Sequence, residues 1–344
     1  MEKLSLSILS IIMLMACSSH PKEQKQEDKS VSSAEYAKSI SVEELKAYLT
    51  EIASDKYQGR DTGEAGQKKA AEYLSSYYSK NEIGFGNGDS YLQKIPSSYF
   101  NNKYNDSENV LAFIEGSEKP EEIIVLSAHY DHVGIDDKGN IYNGADDNGS
   151  GTVALMEIAE AFNLAKNQGN GPKRSILILH VTGEEKGLLG SKFYSENPIY
   201  PLKNTVSDLN IDMIGRVDTN YGKKPKDKQE YIYLIGADRL STELHKIAVT
   251  QNELFTNLNL DFSYNAEDEP MRLYYRSDHY NFAKNGIPSI FFFSGLHDDY
   301  HKPTDTTDKI NFELLQKRSQ LVFHIAWEVA NRKDRLIVDG KVEE

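Results

Sequence analysis

Short apolar segments that alternate with helical patterns constrain the fold of this 344-residue chain more than any other feature of its sequence. Residues 109–114, 122–128, 175–181 and 288–293 are apolar runs of strand length, each bounded by turn-forming or charged residues. Between the second and third runs, apolar side chains recur at helical spacing over residues 151–166. Strands that alternate with helices favour a mainly parallel sheet covered on both faces. We therefore predict a single α/β domain with a central, mostly parallel but mixed β-sheet flanked by helices.

Helical patterns also flank this alternation. Residues 41–53 alternate apolar and charged side chains at helical spacing, and Ser41 with Glu44 three residues later is the signature of a capping box. A second helix is predicted over residues 64–80 and a long one over residues 311–331. Three segments are expected to be irregular or exposed: residues 84–107, 217–230 and 240–275.

Charge and hydropathy exclude two broad classes of protein. The chain has 39 Lys and Arg against 53 Asp and Glu, which gives a formal net charge of −14. Because such an excess of negative charge repels phosphate, we expect no nucleic-acid partner. The single long apolar run lies at the N-terminus, which excludes a polytopic membrane protein. Nothing in the sequence indicates an obligate protein partner.

The N-terminus is typical of an export signal. An apolar stretch follows Lys3 and ends at Cys17, the only cysteine of the chain. The last four residues of this stretch resemble the lipobox of bacterial lipoproteins, whose cysteine is acylated and becomes the first residue of the mature protein. We expect a signal peptide over residues 1–16, a flexible tether over 17–38 and a folded domain over 39–335. A lipid on Cys17 would anchor the protein to a bacterial membrane, facing the periplasm or the cell surface; the alternative is an ordinary cleaved signal.

Side chains that can bind metal ions follow the predicted strands. In open α/β sheets, ligands bind beyond the carboxyl ends of the strands. Five strand ends or adjoining loops carry His or carboxylate side chains: His129 and Asp131; Asp146 and Asp147; Glu184 and Glu185; Asp212; His297 and His301. Because the chain has one cysteine, a zinc site here requires His, Asp and Glu ligands. The sequence therefore predicts a divalent-metal site at this edge, and its imidazoles favour zinc.

Each position alone has a simpler interpretation. A lone His129 is most often a structural or surface histidine. The pair Glu184 and Glu185 is consistent with a solvated turn, although adjacent carboxylates repel unless a cation or proton separates them. Asp146 and Asp147, which lie between glycines, are typical of a turn and a helix N-cap. The coincidence of all five positions favours the metal site.

Five motifs together resemble the zinc exopeptidases related to bacterial leucyl aminopeptidase, a clan that also contains glutamate carboxypeptidase II and glutaminyl cyclase. The motifs are HYDHVG, GADDNGSG, TGEEKGLLGS, NIDMIG and YHKPTDT, in the family's order. The resemblance covers roughly residues 40–330. It implies a phosphorylase/hydrolase-like zinc exopeptidase fold, with residues 39–335 as the catalytic domain and two zinc ions per chain.

The resemblance also implies a set of metal ligands. Asp146 would bridge the two ions. His129 and Glu185 would complete one metal site. Asp212 and His301 would complete the other.

Two further residues receive catalytic roles from the resemblance. Glu184 would be the general base that takes the proton of the attacking water and passes it to the leaving amine. Asp131 would support His129 through the second ring nitrogen. His132 is expected to pack within its loop. Substrate-binding and structural roles both stay open for three other residues: Arg216, Arg276 and Asp278.

The resemblance implies a lipid-anchored, zinc-dependent exopeptidase, and most directly an aminopeptidase that acts on peptides outside the cytoplasm. One alternative is a glutaminyl cyclase-like transferase with a single zinc ion. The other is a metal-free binding domain, in which ligand residues should have been replaced. The GADDNGSG loop and the other four motifs are intact, which favours the peptidase.

Overall fold

A mixed β-sheet of nine strands forms the centre of the protein in a computed structural model that describes residues 33–342. The two remaining strands, β5 (Gly134–Ile135) and β6 (Ile141–Tyr142), form a separate hairpin. The strands of the main sheet are β1 (Gly84–Phe85), β2 (Leu92–Ile95), β3 (Ser107–Ile114), β4 (Lys119–His129), β7 (Arg174–Val181), β8 (Thr205–Ile211), β9 (Tyr231–Ile235), β10 (Asn259–Asp261) and β11 (Ser289–Phe293).

The four central strands of this sheet are parallel. The strand order is β1-β3-β7-β4-β8-β11-β9-β10, and β2 pairs with β3. Strands β7, β4, β8 and β11 run parallel to one another, whereas β3 is antiparallel to β7 and β9 is antiparallel to β11. The predicted fold class, an α/β domain with a mixed central sheet, is confirmed. Because the carboxyl ends of parallel strands meet at one edge, the loops after β4, β7, β8 and β11 are brought together.

Helices pack against this sheet. Half of the capping box predicted at the start of α2 is present, since the Glu44 N–H donates to Ser41 Oγ at 3.1 Å, whereas the Ser41 N–H donates to Glu157 instead of Glu44. The described residues form eight α-helices: α1 (Ser33–Ala37), α2 (Val42–Ile52), α3 (Ala65–Lys80), α4 (Gly151–Asn167), α5 (Leu189–Glu196), α6 (Thr242–Gln251), α7 (His279–Ala283) and α8 (Phe312–Asn331).

Aromatic side chains connect the helices to one another and to the strands. Phe162 of α4 packs against Phe323 and stacks on Trp327, both in α8. Tyr194 of α5 and Phe282 of α7 share an apolar cluster with alternate residues of β4 and β7. Burial of apolar surface stabilises a fold by about 25 cal/mol per Å². The buried central strands therefore give the loops at their carboxyl ends a rigid base.

The folded unit extends beyond both predicted domain boundaries. The predicted tether 17–38 overlaps α1, whose Tyr36 is 1% exposed and stacks on Trp327. Past the predicted end at residue 335, Leu336 is buried and Asp339 accepts a hydrogen bond from the Thr242 N–H. Both ends are part of the fold because they cover apolar or polar groups of the domain.

Two segments expected to be irregular contain regular structure. Residues 240–275 include α6 and β10, and residues 84–107 include β1 and β2. Strand β9 was also not predicted. The four strands among these elements are short, and pairing with neighbouring strands stabilises them, so local sequence periodicity indicates them only weakly.

The predicted signal peptide and Cys17 lie outside the described residues. Over residues 33–342, none of the helices combines the length and apolar character needed to cross a membrane.

Candidate metal centre

Five loops at the carboxyl edge of the parallel strands deliver acidic and imidazole side chains to one place. His129 ends β4, and Asp212 directly follows β8. Glu185 lies in the loop after β7, and His301 lies in the loop after β11. The segment that precedes α4 contributes Asp147, which is followed by a cis peptide bond to Asn148.

Asp147 lies at the centre of this cluster. Its Oδ1 is 3.3 Å from His129 Nε2, and its Oδ2 is 3.1 Å from His301 Nε2. His129 Nε2 is also 3.3 Å from Asp212 Oδ1, and His301 Nε2 is 3.0 Å from Glu185 Oε2. The side chains therefore form two groups that share one carboxylate.

Asp146 does not occupy the bridging position that the resemblance implies. Its Oδ1 accepts a hydrogen bond from the Gly215 N–H at 2.6 Å, and its Oδ2 is 3.3 Å from His297 Nε2. The backbone N–H groups of Asp146 and Asp147 both donate to Asp305. This loop path turns adjacent side chains in different directions, so Asp147 faces the cluster and Asp146 faces away.

The grouping of ligands also differs from the expectation. His129 lies with Asp212 rather than with Glu185, and Glu185 lies with His301. Strand β4 lies between β7 and β8 in the sheet, so the paths of the loops after these strands, rather than the strand order, decide this grouping.

Glu184 and Asp131 lie beside this cluster. Glu184 lines a cavity together with Asp147 and Asp212. Its N–H donates to Asp131 Oδ1 at 3.2 Å, and the same oxygen is 3.7 Å from His129 Nδ1. Burial raises the pKa of Glu184 well above its ordinary value, and the negative charge of Asp212 adds to the shift. A carboxylate with a raised pKa is suited to accept and return a proton.

Opposing effects set the pKa values of the side chains in the cluster. Burial by itself lowers the pKa of His129. The negative charge of Asp212 raises this pKa and helps to place it well above the ordinary value of histidine. Burial raises the pKa of Asp147, yet hydrogen bonding with His129 and the positive charge of His132 hold it well below its ordinary range.

Several buried atoms in the cluster lack hydrogen bonds. A buried polar group without a partner is costly, so such atoms indicate a missing ligand. Carboxylate and imidazole donors held this close together suit zinc. The described residues provide no hydrogen-bond partner for Asp147 Oδ2, Glu185 Oε1, His301 Nε2 or either ring nitrogen of His132.

His132 is also a member of the cluster, although the sequence led us to expect that it only packs within its loop. It is fully buried, and its Nδ1 is 2.9 Å from Glu185 Oε1 and 3.7 Å from Asp147 Oδ2. The sequence feature that could have indicated this role is its position three residues after His129, at a strand end. That feature by itself is weak evidence for a site residue.

Arg60, from the turn-rich loop before α3, connects two of the ligand loops. Its guanidinium is fully buried and donates to the carbonyl oxygens of Tyr130 at 2.7 Å, Asn143 at 2.7 Å and Gly144 at 2.9 Å. It also donates to the Ile52 carbonyl at 3.0 Å. Burial lowers the pKa of Arg60 to about 10, so the group stays charged at neutral pH. One cation thus holds the loops of His129 and Asp147 together.

Replacing Arg60 with Met should therefore impair both stability and metal binding. Carbonyls left without a donor cost about 1–3 kcal/mol each, so the free energy of unfolding should fall by roughly 3 kcal/mol or more. Arg174→Met is the matched control, because Arg174 is equally buried and donates to the carbonyls of Val329 and Arg332 at the other end of β7. Chemical denaturation and zinc titration of both variants check the prediction. Equal losses of zinc affinity in the two variants would contradict it.

A small cavity adjoins the metal cluster. Its polar lining comes from Glu184, Asp147, Asp212 and Arg276. Arg276 is exposed, whereas Arg216 pairs with Asp299 at 3.0 Å. Asp278 is buried away from solvent, where its Oδ1 accepts a hydrogen bond from Ser191. The apolar lining consists of Met213, Leu273, Phe291, Phe293, Leu296 and Tyr300.

Comparison with known proteins identifies relatives of the chain. The model of peptidase family M28 matches residues 109–326, more than half of the chain. A probable leucine aminopeptidase of Arthroderma otae is 30% identical over 228 residues, which cover 64% of this chain and 57% of that protein. The chain thus spans little more than half the length of this relative.

Solved structures share the fold at lower sequence identity. The LapA aminopeptidase of Legionella pneumophila matches with a TM-score of 0.67 and 21% identity, over 88% of this chain and 75% of that chain. A glutaminyl cyclase of Bacteroides thetaiotaomicron matches with a TM-score of 0.64 and 17% identity, over 84% of this chain and 98% of that chain. The same fold therefore occurs in an aminopeptidase and in a cyclase.

Proposed function

Because the chain belongs to peptidase family M28, we propose that it is a zinc-dependent exopeptidase that removes N-terminal residues from peptides. One observation carries the proposal. Asp147 lies between two groups of imidazole and carboxylate side chains, most of them buried, and several of their atoms find no hydrogen-bond partner within the described part of the chain.

Two zinc ions are part of this proposal. Such a pair, when bound, polarises the scissile carbonyl and lowers the pKa of water. Asp147 would be shared between the ions. His129 and Asp212 would complete one position. Glu185 and His301 would complete the other.

Glu184 is the residue proposed to move the proton. Its carboxylate faces the same cavity as Asp147 and Asp212. It would take a proton from the attacking water and return it to the leaving amine. The Asp131 carboxylate would fix Glu184 by accepting its N–H, and the Asp131 carbonyl, 3.2 Å from His129 Nδ1, would support His129 from the other side of the ring.

The side chains that line the cavity support an exopeptidase with a preference for apolar first residues. The cavity adjoins Asp147 and Asp212, so a first side chain held there would lie beside the two groups that share Asp147. Its wall is aliphatic and aromatic except for the carboxylates and Arg276. Side chains such as Leu or Phe would gain the most from transfer into it.

A glutaminyl cyclase-like transferase is the second candidate, because a cyclase shares the fold. A cyclase of this clan uses one zinc ion. The two groups that share Asp147 support the hydrolase instead.

A peptide panel tests the proposal directly. The zinc-loaded full chain is incubated with peptides that differ in their first residue, each with a free and an acetylated N-terminus, and products are identified by mass spectrometry. We expect stepwise loss of residues from free N-termini only, fastest for apolar first residues. Loss of ammonia confined to peptides that begin with Gln would establish the cyclase instead. Release of C-terminal residues or an absence of products would refute the aminopeptidase.

We also propose that a lipid on Cys17 anchors the protein to a bacterial membrane, with the domain outside the cytoplasm. The resemblance of the segment before Cys17 to a lipobox supports this. Mass spectrometry of the mature N-terminal peptide should find acylated Cys17 as its first residue. An unmodified N-terminus would contradict the anchor.

A further inference from the structure

We propose that His132 is an additional ligand of the second metal position, beside Asp147, Glu185 and His301. The inference rests on the proposed function, since it requires a metal ion at that position. It adds a sixth side chain to the five that complete the two positions above. It also makes the two positions unequal.

The location of His132 carries the proposal. Its ring is fully buried, with Nδ1 at 2.9 Å from Glu185 Oε1 and 3.7 Å from Asp147 Oδ2. One ligand atom from each of these three residues lies within 4.8 Å of the other two. Ligands of a zinc ion lie about 2.0–2.2 Å from it, so atoms bound to one ion are at most about 4.4 Å apart. The spacing of the three residues is therefore close to that of a shared ion.

A hydrogen bond to Glu185 does not account for the orientation of His132. Nδ1 lies 2.9 Å from Glu185 Oε1, but neither ring nitrogen makes a hydrogen bond to any other group among residues 33–342. His129 differs in this respect, because its Nδ1 pairs with the Asp131 carbonyl at 3.2 Å and its Nε2 faces the other ligands. A buried imidazole with two unpaired nitrogens is costly, and a metal ion at Nδ1 removes part of that cost.

The surroundings hold the ring in place. The His132 N–H donates to the Arg60 carbonyl at 3.2 Å. A Cβ added at Gly144 would be 2.6 Å from the ring carbons Cγ and Cδ2 of His132, as well as 2.2 Å from the Asp147 carbonyl oxygen. The backbone at Gly144 is left-handed, with φ of +54°, which also favours glycine. The position is therefore shaped around an imidazole before a metal ion arrives.

The consequence is an asymmetric pair of positions. The first position has three protein ligands, His129, Asp147 and Asp212, and so keeps room for substrate or water. The second has four, which is the number found in closed zinc sites. We infer that the second position retains its ion more tightly and that a chelator empties the first position before the second.

Metal titration of the full chain tests this inference. Metal-free protein is titrated with Co²⁺, and binding is followed by calorimetry and by the visible absorption of the bound ion. The unmodified chain should bind two equivalents with different affinities. In His132→Phe, the affinity of the tighter equivalent should fall by about 10–100-fold or more, because the loss of a residue that only supports a ligand already has an effect of this size. The visible absorption of this equivalent should also change. The weaker equivalent should keep its affinity.

A matched control and a second substitution guard against misfolding. His180→Phe changes another fully buried histidine, whose Nε2 pairs with Tyr78 Oη at 2.6 Å rather than with a carboxylate. It should leave both affinities unchanged. If His132→Phe lacks the circular dichroism of the folded chain, the smaller His132→Asn replaces it in the titration.

A Glu185→Gln background separates a ligand from a residue that only positions Glu185. If His132 binds the ion itself, removing it should weaken the tighter equivalent in this background as well. If His132 acts only through Glu185, its removal should have no further effect, and the proposal is overturned. Unchanged affinity in His132→Phe itself also overturns it. Failure of the unmodified chain to bind two equivalents would count against the proposed function instead.

Discussion

Replacing Asp147 with Ala should abolish the binding of both zinc ions and reduce peptide hydrolysis to the uncatalysed level. The expectation follows from geometry, because Asp147 Oδ1 faces His129 and Asp147 Oδ2 faces His301. Loss of this carboxylate removes a ligand from both positions at once. It also leaves the neighbouring imidazoles without the negative charge that partners them. Zinc content by atomic emission after dialysis, measured beside activity, checks the prediction.

Asp146→Asn is the control for this variant, since the two aspartates are adjacent and buried. Asp146 accepts a hydrogen bond from Gly215 and does not face the two groups. The Asn variant should therefore bind two ions at saturating zinc. Its zinc affinity should fall by at most about 10–100-fold, which is the usual effect of changing a residue that supports the metal ligands without binding the metal. Retention of zinc in Asp147→Ala together with its loss in Asp146→Asn would restore Asp146 as the bridging residue.

Replacing Glu184 with Gln should leave the fold and both metal positions intact and lower kcat by about 10²–10⁴-fold, the usual contribution of a general acid–base group. Gln keeps the size of the side chain and its contacts in the cavity. It removes only the ability to accept and return a proton. Steady-state kinetics on a peptide with an apolar first residue, together with zinc content, measures both parts of this prediction.

Glu157→Gln is the matched control for Glu184. Glu157 is a buried glutamate of α4 that accepts a hydrogen bond from the Ser41 N–H, at a distance from the metal cluster in the sequence and fold. Its replacement should leave kcat within a factor of about 2, as for changes that touch no reacting group. Near-normal turnover in Glu184→Gln, with zinc bound, would refute the assignment of the base.

The sequence alone was sufficient to predict the fold class and the edge of the sheet at which the candidate site lies. Buried parallel strands are continuous apolar runs, so β4, β7 and β11 were visible without a structure. Because the carboxyl ends of such strands share one edge, residues after separate strands were expected to meet there. His129, Glu184, Glu185, Asp212 and His301 do meet in the structure.

Distinctions that depend on the backbone path were not predictable. Asp146 and Asp147 are chemically identical neighbours, and the resemblance assigned the bridging role to the wrong one of the two for this geometry. Nothing in local sequence shows which carboxylate a loop turns inward. The same applies to Arg60, whose role depends on carbonyl groups far along the chain.

Zinc-edge anomalous diffraction from crystals of the zinc-loaded protein is the most direct test of the central claim. The account predicts two anomalous peaks about 3.5–4 Å apart, one on each side of the Asp147 carboxylate. One peak should lie against His129 and Asp212 and the other against Glu185 and His301. A single peak, or peaks that are bridged by Asp146, would contradict the proposed metal centre.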